Sequence, residues 1–178
     1  MKGDLRALDV RNKKVIVRVD FNVPLSKDFQ VTDDTRLRGA LPTIEYLVEK
    51  GAKIILVSHF ARPLAKLLPD GEIDRNKFSL RHVVPALSAL LGKEVAFFPD
   101  CVGEAVLQKT NELGSGDILL LENTRFHAGE EKGDPAMAAQ LASLGDIYIN
   151  DAFGAAHRAH ASTTVVANHF DAAHKAFG

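Results

Sequence analysis

The sequence is poor in several residue types, and each shortage excludes a class of protein. Among 178 residues there is no tryptophan and a single cysteine, Cys101, so no disulfide forms within the chain and a cytoplasmic location is expected. Apolar runs such as residues 54–57 are too short to cross a bilayer, and no apolar segment follows the charged start. Basic residues show no excess, since 22 Lys and Arg stand against 23 Asp and Glu, which argues against a general nucleic-acid binder.

Strand-like and helix-like segments alternate along the chain, and this alternation predicts the fold. Strands are expected at residues 14–20, 53–58, 94–98, 117–121 and 146–150. Segments with apolar residues at helical spacing separate them, and Pro42 predicts a kink or an irregular turn in the first helix. Because residues 53–58 are apolar on both faces, helices should cover both sides of the sheet. We therefore expect an α/β domain with a doubly wound, Rossmann-like parallel sheet of five visible strands.

Cationic side chains follow the strands of this predicted sheet. In open α/β sheets ligands bind beyond the carboxyl ends of the strands, where these residues would meet. Arginines hold phosphate or carboxylate through paired hydrogen bonds, and helix N-termini add N–H donors. A chain of net charge −1 thus gathers positive groups on one rim, which indicates a small anionic ligand, such as one with two separated negative groups. The members of this rim are Arg36, His59, Arg62, Arg125, His157 and Arg158.

Each of these residues also has an ordinary structural explanation. An arginine near a strand end is commonly solvated or paired, His59 could be a packing residue, and Asp20 and Asn22 suit turns. Arg36 differs, because its charge opposes the helix dipole and therefore favours a nearby anion or carboxylate. The convergence of several loops supports a site more strongly than any single residue does.

Metal and nucleotide sites are not visible in the sequence. There is no G-x-G-x-x-G after a strand and no P-loop, so neither nucleotide-binding fingerprint is present. The tail holds a group of histidines, but no cysteine or carboxylate joins them at zinc-like spacing, so no metal site is predicted. These histidines are His157, His160, His169 and His174.

Five motifs in the loops resemble those of the phosphoglycerate kinase family. They occupy residues 17–24 (VRVDFNVP), 33–36 (DDTR), 58–63 (SHFARP), 121–126 (LENTRF) and 150–162 (NDAFGAAHRAHAS). The motifs keep the family's order from near the start to about Thr163, and the first and last are close to diagnostic. One departure is that the family has Leu-Gly where this chain has Phe60-Ala61, and Ala61 would be strained if its φ were positive.

The resemblance implies that residues 1–178 form the N-terminal, substrate-binding domain of a two-domain glycolytic enzyme. Such an enzyme is a phosphotransferase with a carboxyl group as acceptor, and it moves a phosphoryl group between 1,3-bisphosphoglycerate and ADP, giving 3-phosphoglycerate and ATP. Mg²⁺ with ADP or ATP would bind a C-terminal domain outside these residues, so this fragment is expected to be inactive alone and to hold no cofactor. The domain's last strand would lie mostly beyond the chain, with residues 176–178 as its beginning.

The motif positions also imply individual roles. Asp20 and Asn22 would contact the hydroxyl and carboxylate end of the substrate, and Arg36 would lie beside the transferring phosphoryl group as the catalytic residue. The residues implied to hold the remote phosphate are His59, Arg62, Arg125 and Arg158, with His157 supporting them.

Expected partners follow from the same resemblance, and two other functions stay open. The substrates are 3-phosphoglycerate and 1,3-bisphosphoglycerate, with no nucleic acid or membrane partner. The full-length enzyme is expected to be a monomer, whereas an isolated half could self-associate through the apolar surface that its partner domain would cover. One alternative is a stand-alone module that binds anionic metabolites without catalysis. The other is a receiver-type signalling domain phosphorylated at Asp20, which the basic rim and the lack of an acidic Mg²⁺ pocket disfavour.

Overall fold

Six parallel strands form the central sheet of the structure, a computed structural model that describes residues 4–152 and 159–177. The strands are β1 (Lys14–Arg18), β2 (Lys53–Val57), β3 (Ala96–Phe98), β4 (Ile118–Leu121), β5 (Ile147–Asn150) and β6 (Lys175–Phe177). Their order across the sheet is β3-β4-β2-β1-β5-β6, which confirms the predicted doubly wound α/β fold. The expected count of five visible strands is corrected to six, because the short β6 already pairs with β5 inside the chain.

Among the described residues, four α-helices cover the two faces of the sheet. They are α1 (Thr35–Glu49), α2 (Val84–Leu91), α3 (Glu104–Asn111) and α4 (Pro135–Ala142). Alternate residues of β1 to β5 belong to two separate apolar cores. In β2, Ile54 packs in the core that includes residues of α1 and α2, and Ile55 packs in the core that includes residues of α3 and α4. This two-sided burial explains why the central strands are continuous apolar runs in the sequence.

The helix ends follow local sequence signals. Asp134 begins α4 by accepting hydrogen bonds from the first turn, and Gly92 ends α2 in the left-handed conformation at φ 63°. Pro42 lies inside α1, which nevertheless runs from Thr35 to Glu49, so no irregular turn interrupts the helix there. Proline has no N–H, so the carbonyl of Arg38 lacks its usual bond from position 42.

The strand order places a crevice at the carboxyl edge of the sheet. From β1 the chain passes to β2 on one side, whereas β5 leads to β6 on the other, so the loops after β1 and β5 diverge. Ligands in open α/β sheets bind at such a switch point. Within the described ranges, no helix has the length and apolarity needed to cross a bilayer.

Candidate anion-binding site

Arg36 is held over the loop that follows β1. It occupies the first turn of α1, which begins after Asp34 and is supported by a bond from Thr35 N to Asp33 Oδ1 (2.9 Å). Arg36 Nη1 donates to the carbonyl oxygen of Asn22 at 2.7 Å and lies 3.3 Å from Asp20 Oδ1. The Arg36 side chain is still 51% exposed. A carboxylate therefore offsets its unfavourable place at the helix N-terminus, while half of the side chain faces solvent.

Ala61 joins three loops of the rim. Its N–H donates to Asn22 Oδ1 at 2.9 Å, and its carbonyl oxygen accepts from Arg125 Nη1 at 3.0 Å. The backbone of Ala61 has φ 54°, which is the positive value that makes alanine strained there. The loops after β1, β2 and β4 are thus tied together through one strained residue.

Asn123 fixes the loop that carries His59. Its Oδ1 accepts from Phe60 N and Arg125 N, both at 3.0 Å. Its Nδ2 donates to the carbonyl oxygens of Phe60 (2.7 Å) and Phe78 (3.1 Å). With the residue 1% exposed, all four bonds are shielded from water. The sequence placed Asn123 after the fourth strand but gave it no role, and the available signal was an amide two positions after the last residue of an apolar run.

His59 is a neutral donor in this arrangement. The residue is 8% exposed, and its Nδ1 lies 2.8 Å from Arg18 Nη2. Burial, followed by the positive charges of Arg18 and Arg125, lowers the pKa of His59 to about 2. Since a guanidinium only donates, Nδ1 must accept and the ring proton resides on Nε2.

Arg18 is a residue whose importance the sequence did not reveal, because it reads as part of a strand. It is fully buried, and its Nε donates to Ser162 Oγ at 2.8 Å. The Ser162 hydroxyl in turn donates to Oε2 of the fully buried Glu130 at 2.5 Å, and Ser162 N donates to Oε1 at 2.8 Å. A buried cation and a buried carboxylate are thereby connected through one hydroxyl.

The remaining predicted residues occupy different environments. Arg62 is exposed, and its side chain has no recorded partner among residues 4–152 and 159–177. Arg125 is buried, and its Nε lies 3.5 Å from Glu131 Oε1. His157 and Arg158 lie outside the described residues. Hydrogen bonds therefore link Asp20, Asn22, Arg36 and Arg125 through Ala61, while the His59 side chain is bonded to Arg18 and Arg62 follows Ala61 in the chain.

One group of side chains offers metal-ligand atoms in the part of the chain that is described. The ligand atoms of Asp100, Cys101 and His127 lie within 4.8 Å of one another. His127 Nε2 already bonds Asp100 Oδ1 at 2.9 Å, and burial raises the pKa of the Cys101 thiol. A cation would have to break that bond and displace the thiol proton. In the histidine-rich tail, His174 is bonded to Asp171 instead.

Comparisons with known proteins agree on one family. The family model for phosphoglycerate kinase matches residues 5–178. The chain is 58% identical over 158 residues to phosphoglycerate kinase of Coprothermobacter proteolyticus, covering 89% of this chain and 38% of that protein. It is 54% identical over 161 residues to the cytosolic phosphoglycerate kinase of Triticum aestivum, covering 90% and 38%.

Solved structures show the same relationship. The phosphoglycerate kinase of Pyrococcus horikoshii superposes with a TM-score of 0.83 at 32% identity, covering 99% of this chain and 42% of that one. The structure from Coxiella burnetii gives a TM-score of 0.80 at 34% identity, covering 99% and 41%. This chain spans about two fifths of the length of the relatives that it matches.

Proposed function

Because this chain belongs to the phosphoglycerate kinase family, we propose that residues 1–178 are the N-terminal, substrate-binding domain of such an enzyme. The full-length protein transfers a phosphoryl group between 1,3-bisphosphoglycerate and ADP in the cytoplasm, giving 3-phosphoglycerate and ATP. The observation that carries this proposal is the cationic rim. Arg36 from the first turn of α1, Arg62 from the segment after β2 and Arg125 from the segment after β4 come to one edge of a chain whose net charge is −1.

The reacting end of the substrate lies against the loop after β1. Arg36 engages Asp20 and Asn22 through Nη1 alone among the described residues, which leaves its other N–H groups for a phosphoryl oxygen. Asn22 uses its Oδ1 to hold Ala61, so its Nδ2 is the donor for the substrate carboxylate. Asp20 accepts from the substrate hydroxyl. These are the roles that the family motif implies for the three residues.

The remote phosphate lies among His59, Arg62 and Arg125. His59 supplies a neutral Nε2–H, the exposed Arg62 supplies a mobile charge, and Arg125 supplies a charge fixed by Ala61 and Glu131. His157 and Arg158 join this subsite by their place in the family motif. Holding an acyl phosphate at both ends fixes its orientation, which is a large part of what phosphoryl transfer requires of a protein.

Charge stabilisation is the other requirement. An arginine beside the reacting oxygens offsets charge as it redistributes in the transition state, and we assign this role to Arg36. The Mg²⁺ and nucleotide would supply the phosphoryl acceptor and neutralise its phosphates. Carboxylates are the side chains that hold Mg²⁺, and those of the described rim are already paired with arginines, Asp20 with Arg36 and Glu131 with Arg125. We therefore place both on the C-terminal domain of the full-length protein. The 178-residue chain alone binds phosphoglycerate without turnover.

A binding titration tests this function. We expect calorimetry or amide chemical shifts to detect 3-phosphoglycerate binding to the 178-residue chain, and Arg62→Ala to weaken it about tenfold, the effect of losing one charge-assisted contact. Arg38→Ala is the matched control, because Arg38 is an α1 arginine paired with Asp34 instead of facing the rim. Absence of binding, or equal affinity in the two variants, would contradict the proposed site. ATP formation by the pure 178-residue chain would contradict its inactivity.

A further inference from the structure

Three buried residues bonded in series to His59, namely Arg18, Ser162 and Glu130, have a function that their burial alone does not explain. Resting on the proposed phosphoglycerate site, we propose that Arg18, Ser162 and Glu130 form a buried relay that fixes the ring tautomer of His59 and so presents Nε2–H to the bound phosphate. Arg18 is a positioning residue in this proposal, and Ser162 and Glu130 act through it. None of the three needs to touch the ligand.

The geometry of the relay supports one proton arrangement. Glu130 is acceptor-only when ionised, so the Ser162 hydroxyl, 2.5 Å from Oε2, must donate to it. With its proton committed, Ser162 Oγ can only accept from Arg18 Nε at 2.8 Å. The guanidinium then presents Nη2 to His59 Nδ1 at 2.8 Å, and that ring nitrogen can only accept. Every N–H of the guanidinium is a donor, so Ser162 and Glu130 determine where Arg18 lies and not what it donates. Held in this position, Arg18 makes His59 Nδ1 the acceptor and leaves the ring proton on Nε2.

The burial of the relay explains why all of its members are needed. Arg18 and Glu130 are both 0% exposed, so removing either leaves an uncompensated charge away from water. Arg18 Nη1 is also bonded to the carbonyl oxygen of Val19, which fixes the guanidinium plane at the end of β1. The relay therefore has little freedom to present another donor or acceptor to His59.

Other groups around His59 would favour the same neutral form without choosing a tautomer. Arg125 and Arg36 also lie close enough to His59 for their positive charge to oppose a proton on it, as does His160 when it is protonated. Positive charges around the ring lower the proton affinity of both ring nitrogens, so they cannot determine which nitrogen carries the remaining proton. Selection needs a directional partner, and Arg18 Nη2 is the recorded partner of Nδ1 among the described residues.

The proposal has a spectroscopic test that is independent of binding. Long-range ¹H–¹⁵N NMR of the 178-residue chain should show His59 as the Nε2–H tautomer at neutral pH. Ser162→Ala should produce a mixture in which Nδ1–H is detectable and should weaken 3-phosphoglycerate binding about tenfold, the loss of one hydrogen bond to a charged group. Thr110→Val is the control, because it removes a buried hydroxyl on α3 that bonds the Leu107 carbonyl and no other group among the described residues, and it should change neither readout.

The outcomes separate the relay from the proposed function. An Nδ1–H tautomer in the unmodified chain, or an unchanged tautomer in Ser162→Ala, would overturn the relay whatever the chain binds. If the His59 tautomer changed in Ser162→Ala but the unmodified chain did not bind 3-phosphoglycerate, the relay would stand and the proposed ligand would be wrong. Glu130→Gln is the second variant if Ser162→Ala does not fold: its carboxamide has the shape of the carboxylate but removes the charge behind Ser162 and Arg18, and it should also make Nδ1–H detectable. An unchanged tautomer in a folded Glu130→Gln variant would equally overturn the relay.

Discussion

Replacing Asn123 by alanine should destabilise the protein far more than the loss of one side chain suggests. The carboxamide makes four hydrogen bonds to backbone groups of Phe60, Phe78 and Arg125. These three residues are between 5% and 7% exposed, so water cannot readily replace the lost partners. Asn123→Ala therefore leaves two N–H groups and two carbonyl oxygens unpaired inside the protein.

The expected magnitude follows from those four bonds. Each contributes about 1 kcal/mol net, and an unpaired buried group costs about 1–3 kcal/mol. Allowing for relaxation of the Phe60 loop, we expect a loss of about 3 kcal/mol in the free energy of unfolding. For a chain of this size that corresponds to a fall in Tm of about 10 °C. Asn123→Asp should also destabilise, because it replaces the Nδ2 donor by an oxygen facing the carbonyls of Phe60 and Phe78.

Urea unfolding followed by circular dichroism measures this difference. Asn111→Ala is the control, because Asn111 is an exposed asparagine with one recorded side-chain bond, from Lys14 Nζ at 2.7 Å. Its effect should be about 0.5 kcal/mol or less. If Asn123→Ala cost no more than Asn111→Ala, the four bonds would not hold the His59 loop and the argument for a preformed rim would fail.

Two further predictions concern residues of the same loop. Ala61→Gly should raise the free energy of unfolding by about 0.5–1 kcal/mol, since relieving the positive φ gains about 1–2 kcal/mol and added chain flexibility costs about 0.4–1 kcal/mol. Ala61→Val should lower the free energy of unfolding by at least about 1 kcal/mol. If urea unfolding showed the valine variant to be more stable than the glycine variant, Ala61 would not be strained. His59 has a folded pKa of about 2 against about 6.5 when unfolded, so the unfolded chain binds more protons and stability falls as pH drops below about 6.5. Between pH 8 and pH 5 the unmodified chain should lose about 2 kcal/mol relative to His59→Gln, which carries no titrating ring, and parallel pH profiles would contradict a neutral buried His59.

The sequence predicts the fold well because burial on both faces makes the central strands easy to recognise. Residues 54–57 and 118–121 are apolar without alternation, and both runs lie in strands buried between two layers of helices. Strand ends were predicted less accurately: β1 ends at Arg18, two residues before the predicted end at Asp20. β6 was missed as a complete strand because its three residues follow short helical turns and show no period of their own.

The candidate site could be predicted only in part, since partners distant in the chain determine what each residue does. The positive φ of Ala61 could be stated as a condition from the sequence but not as a fact, because it depends on bonds to Asn22 and Arg125. Arg18 lies within an apolar strand, and its interaction with Ser162 spans 144 positions. No local pattern carries that information.

The rim also shows why counting cations overstates the charge available to a ligand. Arg18 is committed to Ser162 and His59, Arg125 faces Glu131, and Arg36 shares its charge with Asp20. His59 carries no charge at all at neutral pH. A net charge of −1 and a cationic rim are therefore compatible, because much of the positive charge at this edge holds the loops together. In the proposed site, the groups that an anion would meet among the described residues are the free part of Arg36, the exposed Arg62, the positive charge of Arg125 and the neutral Nε2–H of His59, which Arg18 holds in place.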